Sequence, residues 1–184
     1  AIVTLNLLRS RGWVSIQTGD TPAPAARRDP PAFVSGPLLN GAQSAAVDSI
    51  TAALGTFAPL LLAGITGSGK TEVYLAAIAA ALQRGRQALV MVPEINLTPQ
   101  FLRQLSARFP DARIVEQHSA LADIPRMEGY LAAQSGAAEI VVGTRLAVFT
   151  PMPRLGIIVV DEEHDPSFKQ QEGFRYSARD VAVF

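Results

Sequence analysis

The stretch Gly64-Ile65-Thr66-Gly67-Ser68-Gly69-Lys70-Thr71 decides the fold. It fits G-x-x-x-x-G-K-[ST], follows an apolar run at residues 60–63 and precedes an alanine-rich amphipathic segment, the strand, loop and helix context that a phosphate-binding loop requires. Glycines let the backbone wrap a pyrophosphate with successive N–H groups pointing inward, and a helix starting here turns its positive end to the same anion. On this reading Gly64, Thr66, Gly67, Ser68 and Gly69 form the cradle of a nucleotide site. Lys70 reaches the β and γ phosphates of ATP. The Thr71 hydroxyl binds Mg²⁺, a hard cation that takes oxygen ligands and keeps several waters.

Outward from the loop, short β-rich runs alternate with longer amphipathic stretches from Leu38 onward, the signature of βαβ units and a mainly parallel sheet. Strands are expected at 60–63, 88–92, 113–116, 139–142 and 156–160, each apolar on both faces as a doubly covered sheet demands. Helices are expected at 42–54, 70–83, 98–109, 124–135 and 177–184. Ahead of this domain, residues 19–37 carry Pro22, Pro24, Pro30, Pro31 and Pro37 without a periodic apolar face and read as a stiffened linker. Residues 1–18 read as the end of a preceding unit; a disordered N-terminal tail is the alternative.

Composition narrows the class. At 184 residues with 48% apolar content the chain buries roughly 70% of the surface its unfolded form exposes, enough for a core without staples. It has no cysteine, so neither a disulfide framework nor a thiolate zinc site can form within these residues. No apolar run approaches the ~20 residues needed to cross a bilayer, and the first residues lack a signal-peptide pattern, which makes the cytoplasm the expected compartment. With 16 basic and 16 acidic residues there is no global pull toward nucleic acid; any contact must come from local patches.

A phosphate loop that works with Mg²⁺ needs an acid at the carboxyl end of a neighbouring strand. The run Ile157-Ile158-Val159-Val160-Asp161 supplies one, followed at once by Glu162, Glu163 and His164. Asp161 is expected to orient the metal through water and Glu162 to act as general base on an attacking water. Further along, Phe168-Lys169-Gln170-Gln171-Glu172-Gly173-Phe174-Arg175-Tyr176 interleaves aromatics with cations. Aromatic faces there could stack on unpaired bases while Lys169 and Arg175 attend to the backbone; alternatively Phe168 and Phe174 are core residues of a long loop.

Together these residues resemble the DExH helicases of superfamily 2, whose acidic motif reads here Asp161-Glu162-Glu163-His164. The segments 66–74, 92–100, Gly143-Thr144-Arg145 with Phe149-Thr150-Pro151, and 169–180 are similar to the replication-restart helicases of bacteria, over about residues 38 to 184. The resemblance implies a three-layer α/β/α RecA-like P-loop NTPase domain, the first of two motor lobes, with arginine fingers and the family's zinc module elsewhere in the polypeptide. It implies that Gln43 reads the adenine edge, and that Lys70, Asp161, Glu162 and His164 belong to the catalytic set. Contacts to DNA would come from Pro93, Thr98, Gln100, Thr144, Arg145, Phe168, Lys169, Phe174, Arg175 and Tyr176, mostly sequence-blind ones to phosphate. A simpler role for Thr98-Pro99 is to start a helix. The segment 1–18 is similar to the end of a winged-helix domain. By the same resemblance the reaction drives 3′ to 5′ movement on forked or single-stranded DNA, in company with primosome and single-strand-binding proteins. The first lobe alone is expected to bind nucleotide weakly, hydrolyse it poorly and unwind nothing. Two rivals from other classes remain open at this point: a P-loop phosphotransferase acting on a small molecule, and a non-catalytic adaptor that uses ATP as a switch.

Overall fold

Runs that are apolar on both faces form the sheet. In the computed structural model, which describes residues 29–65 and 67–184, four strands pair in parallel: β1 (Gln87–Met91), β2 (Ile114–Gln117), β3 (Ile140–Gly143) and β4 (Leu155–Val160). Their spatial order is β2-β3-β1-β4. Ala88 lies beside Ile140 and Ile157, and Val90 beside Val142 and Val159, with the β1–β4 register shifting between Gln87 and Ala88. Because side chains alternate along a strand, Ala88, Val90, Ile140 and Val142 point to one layer, and Leu89, Met91 and Val141 to the other.

Helices α2 (Lys70–Gln83) and α3 (Pro99–Arg108) cover the first face, with Leu75, Ile78, Leu82, Leu105 and the adjoining Phe109 in its core. Helix α4 (Asp123–Gln134), the short 3₁₀ turns Arg145–Phe149 and Pro166–Phe168, and helix α5 (Ala178–Val183) cover the second. A further helix, α1 (Gly41–Ala53), packs on α2. The result is the expected three-layer α/β/α architecture. Helix starts follow local chemistry: Asn40 and Gln43 form a reciprocal capping box for α1, and the Thr98 hydroxyl accepts from Phe101 N–H at the start of α3, with Pro99 in its first turn.

Three features depart from expectation. Residues 60–63 form no strand and pair with nothing in the sheet, so the expected fifth strand is absent among the described residues. Leu60 and Leu61 stand 56% and 79% exposed. β4 pairs with β1 on one side, and among the described residues its other edge stays open rather than taking up this run. Second, a small antiparallel hairpin, β5 (Lys169–Gln170) with β6 (Tyr176–Ser177), occupies the aromatic-rich stretch expected to be a loop. Third, residues 33–36 of the expected linker lie against α3 rather than running free. The readings of residues 1–28 and of Thr66 lie outside the described residues.

Candidate functional site

In a parallel sheet all strands end on the same edge, and each helix begins there because it runs back antiparallel to its strands. That edge gathers Pro93 after β1, Thr144 after β3, Asp161 after β4, and the start of α2 with Lys70 and Thr71. The loop before α2 turns through left-handed backbone at Gly67 (φ 80°) and Gly69 (φ 81°), which only glycine adopts cheaply. Lys70 Nζ folds back to donate to the Gly64 carbonyl at 2.7 Å, and Glu72 N–H bonds the Gly69 carbonyl at 3.0 Å. The lysine therefore stays beside the loop, with its charge at the positive end of a helix.

Gln43 reaches the same loop from α1. Its Nε2 donates to the Ser68 carbonyl at 3.0 Å and its Oε1 accepts from Asn40 N–H at 2.8 Å. A methyl on Gly69 would collide with that amide, so the third loop glycine also makes room for Gln43.

The acid motif leaves β4 at Asp161, whose N–H still bonds the Met91 carbonyl at 2.9 Å. The next residue, Glu162, has φ 49°, the one non-glycine described residue in left-handed backbone; the kink turns its carboxylate off the strand direction. Burial pushes the Asp161 carboxyl above its ordinary range, the neighbouring Glu162 adds to the rise, and the Glu162 N–H and the Lys70 ammonium oppose it. Among the described residues Asp161 has no ion-pair partner. A partly buried carboxylate of that kind, with a threonine hydroxyl on the facing helix, is an all-oxygen donor pair that fits Mg²⁺ held largely by water and phosphate.

Tyr74, which no sequence argument singled out, belongs to the same neighbourhood. Burial pushes its phenol up to about 12, a hydrogen bond with Thr71 opposes, and the charges of Asp161 and Glu72 add to the rise. It lies three residues beyond Thr71, on the same face of α2. The i, i+3 spacing was the available signal. Glu163 faces away from this gap and pairs with Arg179 of α5 at 2.9 Å, while exposed His164 lies 3.8 Å from Glu162.

The residues expected at DNA divide sharply. Phe168 is 2% exposed and packs with Leu89, Met91, Ala147 and Ala178, so its ring is core and offers no face to a base. This corrects its assignment: Asp165 caps the turn by accepting from Ser167 N–H at 2.8 Å and drives the ring inward. Pro93 and Thr144 are buried as well and present no side-chain surface to a strand. The glycine before Thr144 is set by packing: a methyl on Gly143 would overlap the Gln117 carbonyl and Ala147. Thr98 is exposed with its hydroxyl used in capping, and Gln100 is exposed beside it. Half-buried Arg145 donates to the Ser167 carbonyl at 3.3 Å, tying the 3₁₀ turn after β3 to the loop after the acid motif.

On the hairpin, Phe174 is 79% exposed, and Lys169 and Arg175 are exposed. Tyr176 makes an edge contact with Phe149 at 4.9 Å and stacks obliquely with Phe174 at 6.0 Å. Lys169, Gln170, Gln171, Arg175, Tyr176 and Ser177 line an open depression of about 530 Å³.

A phosphate loop at a helix start, with an acidic strand end on the same edge of a parallel sheet, is the arrangement of a P-loop NTPase. The DEAD/DEAH box helicase family profile matches residues 40–182, and the chain belongs to that family. Domains of this family use ATP and Mg²⁺. Within it, the chain is similar to the Replication restart protein PriA of Haemophilus influenzae, 51% identical over 123 residues. It is also similar to the proteins of that name from Chlamydia pneumoniae (46% over 149 residues) and Bacillus subtilis (43% over 123 residues). These alignments cover 67%, 79% and 67% of this chain but 17%, 20% and 15% of the relatives, so the chain spans about a fifth of their length or less. No helix among the described residues is long and apolar enough to cross a membrane.

Proposed function

We propose that this chain is the first motor lobe of an ATP-dependent DNA helicase of replication restart and primosome assembly, moving 3′ to 5′ on forked DNA. The observation that carries the reading is topological: the glycine loop with Lys70 opens α2 at the same sheet edge where β4 ends at Asp161. Gly67, Gly69 and the first turn of α2 direct N–H groups at a triphosphate, and Lys70 leaves the Gly64 carbonyl to neutralise its outer phosphates. Thr71, held by Tyr74, and Asp161 would hold Mg²⁺, which supplies charge neutralisation on the β and γ oxygens. Glu162, turned off the strand by its left-handed backbone, orients the water that attacks the γ-phosphorus and takes its proton on the carboxylate. The P–O bond to the leaving diphosphate breaks as the new one forms.

Contacts to a DNA strand are assigned to Thr98 and Gln100 at the start of α3, to Arg145, and to the hairpin, where Phe174 and Tyr176 offer ring faces and Lys169 and Arg175 offer charge. The Arg145 bond to the Ser167 carbonyl links strand contact to the backbone five positions beyond Glu162 and its attacking water. Partners among primosome and single-strand-binding proteins, and a zinc module outside this chain, complete the proposal.

The test is fork unwinding and DNA-stimulated ATP hydrolysis by the intact protein, with Lys70→Ala and Glu162→Gln. Removing one preorganised group that meets transition-state charge costs about 10²- to 10³-fold in turnover, so Lys70→Ala should lose both activities. Glu162→Gln should bind ATP and stall. ATP hydrolysis indifferent to DNA would point to a phosphotransferase, and biological function retained by Glu162→Gln would point to a nucleotide-switched adaptor.

A further inference from the structure

Residues 33–36 fall where a free linker is expected, yet the motor domain holds them from several directions. Val34 N–H donates to the Arg108 carbonyl at 2.9 Å, and Arg108 Nε donates back to the Val34 carbonyl at 2.6 Å. The guanidinium stands 5.1 Å from the centre of the Phe33 ring, which also packs at 5.2 Å against Phe109. The remaining arm of the guanidinium, Nη1, donates to Glu72 Oε2 at 2.7 Å. A methyl on Gly36 would run into both the Glu72 carboxylate and the Arg108 guanidinium, so the chain crosses directly over the ion pair.

Glu72 directly follows Thr71 in the first turn of the phosphate-binding helix. Its pair with Arg108 is withdrawn from water, with side chains 19% and 12% exposed, against 39% and 43% for Glu163 and Arg179. A surface pair of the latter kind contributes little, whereas removing one partner of the former leaves an uncompensated charge away from solvent. The same stretch continues through Asn40 into α1, where Gln43 holds the Ser68 carbonyl. Residues 33–43 therefore touch the nucleotide loop directly through Gln43 at Ser68 and Gly69, and reach the helix turn just after it through Arg108, which holds both Val34 and Glu72. One planar fork serves three partners at once, a geometry that a lysine ammonium cannot reproduce.

We propose that Arg108 is a positioning residue for the nucleotide loop, clasping the strap at residues 33–36 to the first turn of α2 so that strap docking and ATP binding strengthen each other. This rests on the reading of residues 64–71 as the ATP site. Glu72 puts a carboxylate beside an anion site, and Arg108 both cancels that charge and fixes the turn that presents Thr71. Because coupling between two binding events is reciprocal, whatever undocks the strap weakens ATP binding, and ATP protects the strap.

The test uses the intact protein, with Mg²⁺ and ATP as the probe. In the unaltered protein ATP should slow hydrogen exchange at the Val34 amide about fivefold or more, the lower end of usual site-to-site coupling. Arg108→Lys keeps the charge but gives up the fork; it should raise KM for ATP about tenfold, leave kcat within about twofold, and abolish the ATP effect at Val34. Glu72→Gln placed in Arg108→Ala should recover part of the KM lost by Arg108→Ala alone, which a merely structural role would not do. Lys70→Ala separates the two readings. If it leaves ATP binding intact, the assignment of the loop fails. If it abolishes ATP binding while Arg108→Lys behaves as the parent, only the strap proposal falls. Should Arg108→Lys fail to fold, exchange at Val34 in the unaltered protein decides: no response to ATP overturns the coupling.

Discussion

β1 and β3 on one side, and β4 with residues 57–65 on the other, are about equally apolar in sequence and opposite in burial. Every residue of β1 and β3 is buried, whereas β4 is only partly covered and Phe57, Leu60, Leu61 and Ile65 stand in the open. Composition does not separate them; neighbours do. β1 and β3 have a strand on each edge and a layer on each face, so their apolar side chains and their backbone groups are satisfied together. β4 has one strand partner, and the run leading to the phosphate loop has none. The chemistry of the nucleotide site thus sits on the less consolidated side of the molecule, where loops that must move are ordinarily found.

The contrast can be broken most forcefully in the buried half. Ile140, fully buried between β1 and β2, should on replacement by alanine lose about 2–5 kcal/mol of stability. Chemical denaturation measures it, and a loss under about 1 kcal/mol would mean that this half is no better consolidated than the other.

On the open side the effects should be smaller and of a different kind. Asp161 is raised above its ordinary range by burial and by Glu162. Its folded-state pKa exceeds the unfolded one, so the ionised carboxylate works against folding once the pH has risen through the folded value, and the penalty vanishes below the unfolded value. Asp161→Asn should therefore raise the melting temperature of nucleotide-free protein at pH 7. The gain should shrink as the pH falls toward about 4, while Mg²⁺-dependent ATP binding is lost at every pH. A melting temperature lowered at pH 7 would contradict this.

The smallest expected change is at Leu61. Its side chain is 79% exposed, so Leu61→Glu should alter folding stability by less than about 0.5 kcal/mol. With an unpaired strand edge and an exposed apolar stretch on one side, the 184-residue chain by itself should self-associate. Sedimentation should show that tendency reduced by Leu61→Glu. Equal association of the two would place the sticky surface elsewhere.

Much of the fold could be read in advance where the deciding forces are local. Helix α2 begins and ends at the expected residues, and Thr98-Pro99 marks the start of α3, because caps, glycine turns and amphipathic spacing act within a few residues. Four strands fell within a residue or so of expectation, three of them because their apolar character is nearly continuous, while β2 (Ile114–Gln117) is apolar only in its first half. The exceptions share a cause. Whether residues 60–63 join a ladder depends on an edge far along the chain. Whether Phe168 meets a base or the core depends on what Asp165 caps and what Leu89 and Met91 leave to be filled. Residues 33–36 look like linker until Arg108, more than seventy positions away, is found holding them.

By itself the sequence determined the chemical kit: a glycine loop able to wrap phosphate, a lysine and a hydroxyl behind it, and paired acids at the end of an apolar strand. Those depend on residue type and on spacing along a few bonds. Only tertiary structure decided that the phosphate loop and Asp161 meet at one sheet edge, which aromatics face outward, and that Arg108 ties an upstream strap to the helix start. Such pairings join residues remote in the chain, and they are settled by packing and by where buried charges find partners, neither of which is written in local order.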